Sequence, residues 1–90
     1  MIHELTLDAP VRFEPDHVEF VGSVDGMQQV FRVDESVFRQ LLQIRRIERG
    51  SMSNLFQADP GHFLYVASRK LAEEGPSSAP IRLTLEDLLR

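Results

Sequence analysis

The chain has no cysteine among its 90 residues. A secreted domain of this size usually needs disulfides or a metal to support its core, so the absence points to a reducing cytoplasm. No apolar run approaches the roughly 20 residues needed to cross a bilayer. The opening MIHELTLD carries neither the basic nor the apolar segment of a secretory leader. A cytoplasmic protein with no membrane association is therefore expected. Excess positive charge is also missing. Ten Lys and Arg stand against fourteen Asp and Glu, a net charge of −4, which argues against avid nonspecific binding of nucleic acid by the whole surface. The glycines, at 22, 26, 50, 61 and 75, stand singly, so no phosphate-cradling loop is present. His3, His17 and His62 fall in separate segments without the short spacing of metal ligands. No metal or other cofactor is expected.

What the chain does have is 42% hydrophobic and 27% charged residues, an ordinary globular composition. Its length allows one domain, residues 1–90, with one modest core.

The most informative stretch is HVEFVGSVDGMQQVFRVD, residues 17–34. A two-residue turn at Asp25-Gly26 suits a type I′ hairpin, because Gly adopts positive φ freely and Asp tolerates it. Val24 then faces Met27, Ser23 faces Gln28, Val21 faces Val30, and Phe20 faces Phe31. Further down, Glu19 faces Arg32, Val18 faces Val33 and His17 faces Asp34. Val18, Phe20, Val24, Met27, Phe31 and Val33 share one face, and a slip of one residue would expose all six. His17, Glu19, Ser23, Gln28 and Arg32 form the opposite, wet face. Before the hairpin, Leu5 with Leu7 and Val11 with Phe13 predict two short strands separated by Asp8-Ala9-Pro10. Pro10 cannot donate to a ladder, which puts it at a strand end or an edge.

From Asp34 the period changes to that of a helix, predicted over 35–49, with Val37, Leu41 and Ile44 on one stripe. Gly50 ends it. Ser51 or Ser53 caps a short helical segment holding Met52, Leu55 and Phe56. Asp59 as cap and Pro60 as first residue predict a second main helix over 60–74, stopped by Gly75. Phe63, Leu64, Ala67 and Leu71 form its stripe. Residues 75–80 read as a flexible connector. Ile81 and Leu83 suit a short strand, and Thr84 with Asp87 a capping box for a terminal helix. The fold class is therefore α+β in two layers: an antiparallel sheet built on the long hairpin at about 17–33, two main helices on one face, and a short C-terminal strand and helix.

Taken together, the Val-x-Phe strand (Val18, Phe20), Gly26-Met27 at the turn, and Leu55, Phe56, Ala67, Lys70 and Leu71 in a helical pattern resemble a family of short bacterial proteins catalogued as a domain of unknown function. The resemblance covers most of the chain. It implies a small α+β fold in a bacterial cell and brings no activity with it.

His17 opposite Asp34 is the nearest approach to an acid/base pair. A cross-strand clasp accounts for it as well, and Ser23, Ser51 and Ser53 sit in no activating context. No catalytic residue is assigned, and a small hydrolase ranks third among the functions. Charge is unevenly spread: residues 1–38 carry net −6, residues 39–49 net +3, and the remainder net −1. Arg39, Arg45, Arg46 and Arg49 supply the basic island, on about 120° of the predicted first helix, and Arg pairs bidentately with carboxylates and phosphates. A solvated helix face explains them too. The expectation is a binding or accessory protein whose partner is another protein or a second copy, with these four arginines as the binding face. A nucleic-acid-binding regulator using the same face is the alternative. Leu85, Leu88 and Leu89, or an unpaired strand edge, are further means of self-association.

Overall fold

In a computed structural model, which describes residues 5–43 and 49–89 (the side chains of Ala9 and Arg49 excepted), the elements follow in the order β1 (Thr6–Phe13), β2 (His17–Val24), β3 (Met27–Asp34), α1 (Glu35–Leu42), α2 (Arg49–Ala58), α3 (Pro60–Glu74), β4 (Ile81–Arg82) and α4 (Leu85–Leu89). The strands form one four-stranded sheet in chain order. Helices cover one face, giving the expected two-layer α+β fold.

The hairpin has the register its side chains specify, from His17 opposite Asp34 to Val24 opposite Met27. Asp25 and Gly26 both take positive φ, 52° and 79°, as the tight turn demands. Val18, Phe20, Phe31 and Val33 are fully buried, and the two phenylalanine rings stack at 5.4 Å. Met27 departs from the expectation. At the hairpin tip it runs past the helix layer and is 42% exposed.

The sheet is mixed rather than antiparallel, because β4 pairs parallel to β3. Among the described residues, α1, α2 and α3 lie between the two strands, a connection long enough to bring the chain back to the same end. Leading into the hairpin is one strand instead of two. β1 runs unbroken through Asp8-Ala9-Pro10, but its register against β2 slips between Asp8 and Arg12. An edge strand can absorb such a slip, and the slip leaves Pro10 without a ladder partner. Leu5 packs over Gly22, where an added Cβ would stand 3.1 Å from a Leu5 methyl, so a larger residue there would push Leu5 back by a few tenths of an ångström.

The predicted 35–49 helix is corrected most. α1 ends at Leu42, and Gln43 takes the left-handed conformation, φ 56° and ψ 42°, with its amide bonded to Arg39 and Gln40 carbonyls. Gly50 is inside α2, as are Ser51 and Ser53, so neither the predicted stop nor the predicted cap operates. Ile44 and Ile47 lie outside the described residues. Met52 and Phe56, each 1% exposed, reach the core from α2, an element separate from α1. Tertiary packing of this kind overrides local periodicity.

α3 begins and ends as predicted. Asp59 accepts from the His62 amide, Pro60 opens the first turn and Gly75 follows the last. Phe63 and Ala67 are buried as expected, joined by Val66, which the predicted stripe lacks. The Thr84–Asp87 capping box is reciprocal: the Thr84 amide donates to Asp87 Oδ2 at 2.8 Å, and the Asp87 amide to Thr84 Oγ1 at 3.2 Å. Leu88 is buried, so it belongs to the core and not to a dimer face.

Residues 75–80 are tied down rather than flexible. Gln29, on the inner face of β3 and 3% exposed, accepts from the Ser77 amide at 2.8 Å and donates to the Ala79 carbonyl at 3.4 Å. Its amide also donates to the Val30 carbonyl at 3.1 Å. Gln29→Leu should cost about 1–2 kcal/mol, the loss of hydrogen bonds whose freed partners water can partly reach. Urea unfolding measures the loss, and amide exchange should quicken first at Ser77 and Ala79.

Candidate functional site

The outer face of the sheet concentrates charge. Arg12, Glu19, Arg32 and Arg82 face one another in a single row across all four strands. Arg12 lies 3.1 Å from Glu14 and 3.6 Å from Glu19, while Arg32 Nε donates to Asp34 at 2.6 Å. Arg82 stands 3.8 Å from the other Asp34 oxygen. This bonding holds Arg32 firmly cationic, chiefly through Asp34. Neighbours on the same face are also engaged: Asp8 accepts from Ser23 Oγ at 3.2 Å and from Gln28 Nε2 at 2.9 Å.

The backbone sets His17 opposite Asp34, but their side chains part company. His17 Nδ1 bonds Asp16 Oδ1 at 2.7 Å and its Nε2 lies 4.0 Å from Glu19. Asp34 is taken by Arg32, in a short charge-assisted contact from its own strand. Asp16 is held below the usual carboxylate range, first by the hydrogen bond from His17, which outweighs the opposing effect of desolvation; the nearby Arg32 charge adds least. The His17 side chain is 14% exposed, so it is not the wet residue expected. The acid/base pair of the sequence is thereby dissolved into a network of matched charges.

The four arginines do not share a helix. Arg39 is on α1, its Nε 3.7 Å from Glu35 Oε1, Arg49 opens α2, and Arg45 and Arg46 lie outside the described residues. Because α1 ends at Leu42, the continuous 120° face expected of one helix is not formed.

A different feature stands out at the sheet's edge. Alternation along β1 sends Leu7, Val11 and Phe13 to the inner face, and with Phe56 and Gln57 of α2 and Pro60 of α3 they line an open trough of about 330 Å³. Among the described residues, no acid, base or nucleophile lines it. Phe13 meets Phe56 edge-on at 6.1 Å, and Phe56 packs in turn against Phe20 at 5.3 Å and Phe63 at 4.9 Å, so the floor is anchored in the core. Phe13 itself is 37% exposed. Beyond β1 no further strand pairs among the described residues. An apolar trough beside a free strand edge suits an extended segment, whose backbone would pair with β1 while alternate side chains enter the trough. The sequence marks these residues only as alternating positions of two short strands. Pro10, the mark of an edge strand, was the signal that their inner face lacked a neighbour.

Scans against protein-family models, curated proteins and solved structures find no match to the chain.

Proposed function

We propose that the chain is an intracellular bacterial binding domain, an accessory protein that takes an extended segment of a protein partner along β1. One observation carries the reading: Leu7, Val11 and Phe13, inward side chains of an eight-residue edge strand, line an apolar trough and are only partly covered. The bacterial setting rests on the resemblance of the hairpin and helix motifs, and the intracellular one on the lack of cysteine. The alternative, nucleic-acid contact through an arginine face, is less well supported because α1 and α2 are separate helices.

Selection from a random peptide library, followed by NMR titration of the strongest binders, tests the reading. Enriched peptides should carry apolar residues at alternate positions and shift the amides of Thr6–Phe13 together with the Phe13 and Phe56 rings. Val11→Arg should weaken such binding about tenfold or more, a loss of about 1.4 kcal/mol. Absence of enrichment, or shifts confined to the outer helix surfaces, would overturn it.

A further inference from the structure

Of the charged residues along β1, Asp8 and Arg12 are set symmetrically about Pro10. Both lie on the outer face, where Asp8 bonds Ser23 and Gln28 and Arg12 reaches Glu19. The Arg12 side chain is nevertheless 65% exposed. On the inner face, Leu7 and Phe13 are placed just as symmetrically and line the trough. Two copies of β1 laid antiparallel about a two-fold axis through Pro10 therefore set Asp8 against Arg12 and Leu7 against Phe13, each pair occurring twice. Acid meets base on one face and apolar meets apolar on the other.

Other registers lack this match. A shift of two residues one way sets Asp8 against Glu14, and two the other way leaves Arg12 facing Thr6. A slip of one residue places charge opposite apolar side chains. Proline narrows the choice further. A central Pro10 pair is tolerated as a non-hydrogen-bonded pair, with the proline nitrogen turned back toward its own sheet. There the register slip between Asp8 and Arg12 leaves no ladder bond for it to break.

Resting on the proposed role of β1 as a binding edge, we infer that its occupant is β1 of a second copy, joined in an isologous dimer with a continuous eight-stranded sheet. Both helix layers fall on the same side, the two troughs abut, and Leu7 of each copy closes over the exposed Phe13 of the other. Such pairing is isologous, so it ends at two copies and does not propagate. One edge strand per copy makes a small interface, which places association among weak, reversible contacts.

Sedimentation velocity on the full chain from about 10 µM to about 1 mM, the range of weak association, should show the mass rising from one copy toward two. Asp8→Arg and Arg12→Asp each place like charges together twice across the axis, and each variant alone should dimerise at least tenfold more weakly. An equimolar mixture of the two variants restores both opposite-charge contacts and should recover the dimer. Circular dichroism checks that the variants fold. Amide exchange on the parent supplies a readout free of substitution, because amides of β1 should gain protection as concentration rises. The inference is overturned by a parent that stays a single copy at the highest concentration. Single variants that dimerise like the parent, or a folded mixture that fails to recover, overturn it equally. A single-copy parent that still binds selected peptides along β1 rejects self-pairing and leaves the binding reading standing. Loss of both would reject the two together.

Discussion

Phe56→Ala should lower stability by about 3–5 kcal/mol, the range for truncating a buried aromatic in a packed core. Phe56 is 1% exposed and joins three other phenylalanines, with ring centroids 4.9 Å from Phe63, 5.3 Å from Phe20 and 6.1 Å from Phe13. It thus links the sheet, α3 and the trough through a single side chain on α2. A domain of this size has a total stability of roughly 5–13 kcal/mol, so the loss removes a large share of it and should lower Tm by roughly 15–30 °C. Urea and thermal unfolding followed by circular dichroism measure the effect. Phe56→Leu keeps most of the volume and should lose clearly less. A loss under about 1 kcal/mol for the alanine variant, the usual range for surface positions, would show that α2 does not close the core as described. Because Phe56 also floors the trough, the alanine variant should weaken binding along β1 even under conditions where it remains folded.

The residues explain why some of this was legible and some was not. The hairpin could be read because three independent signals agree: Asp25-Gly26 chemistry, period-two alternation and matched partners such as Glu19 with Arg32. Local and long-range preferences then point to one register. α3 was legible for the same reason, with Asp59, Pro60 and Gly75 marking both ends around a clear stripe. The end of α1 had no such mark. Gln43 takes a left-handed conformation normally left to Gly or Asn, while Gly50, the residue that looked like a stop, lies inside α2. The apolar period predicted through Ile44 and Ile47 ran past Gln43 and so hid that Met52 and Phe56 enter the core from a second element.

Polar residues show the same limit on a finer scale. Gln29 sits between Gln28 and Val30 with nothing local to distinguish it, yet the fold places it inward, across from Gly22, where it holds Ser77 and Ala79. Its value depends on a loop almost fifty residues away, and no window of sequence contains both. His17 fails in the opposite direction. Its backbone partner was read correctly, but side-chain choice among Asp16, Glu19 and Asp34 depends on where Arg32 points. The candidate site was harder to see for a related reason: Leu7, Val11 and Phe13 have the pattern of core residues, Pro10 alone hints at an edge, and the sheet order shows that among the described residues no strand pairs beyond β1.

Asp87→Ala should release α4 and cost about 2–3 kcal/mol, since Asp87 Oδ2 accepts from Lys70 Nζ at 2.7 Å, the Thr84 amide at 2.8 Å and the Thr84 hydroxyl at 2.9 Å, and bonds to charged groups contribute about 1.5–3 kcal/mol. The pair is well covered, with side-chain exposures of 16% for Lys70 and 12% for Asp87. Removing the carboxylate leaves Lys70 only Glu74, 3.3 Å away and more than half exposed. Burial alone would raise the Asp87 pKa, but the bond from Lys70 and those from Thr84 outweigh it and hold the carboxyl below its ordinary range. Lys70 is held above its ordinary range, mainly by Asp87. A depressed carboxyl stabilises the fold above about pH 4, its unfolded value, and that contribution fades as pH falls through the lower folded value. The raised lysine contributes fully below about pH 10.4 and fades as pH rises through its higher folded value. Docking of α4 should therefore be flat across neutral pH and fail at both extremes. His62 Nε2, which donates to the Leu88 carbonyl at 2.9 Å, and the buried Leu88 keep α4 attached in part. Amide exchange of residues 85–89 reads the result: the parent should lose protection on acidification below about pH 4, where carboxylates take up protons, while Asp87→Ala starts low and changes little. Lys70→Met with Asp87→Leu removes both charges together and should recover much of the loss, giving a coupling of about 1.5–3 kcal/mol in a double-mutant cycle. A coupling near zero would show that the Lys70–Asp87 pair does not hold α4, which would then rest on Leu88 packing and the His62 bond.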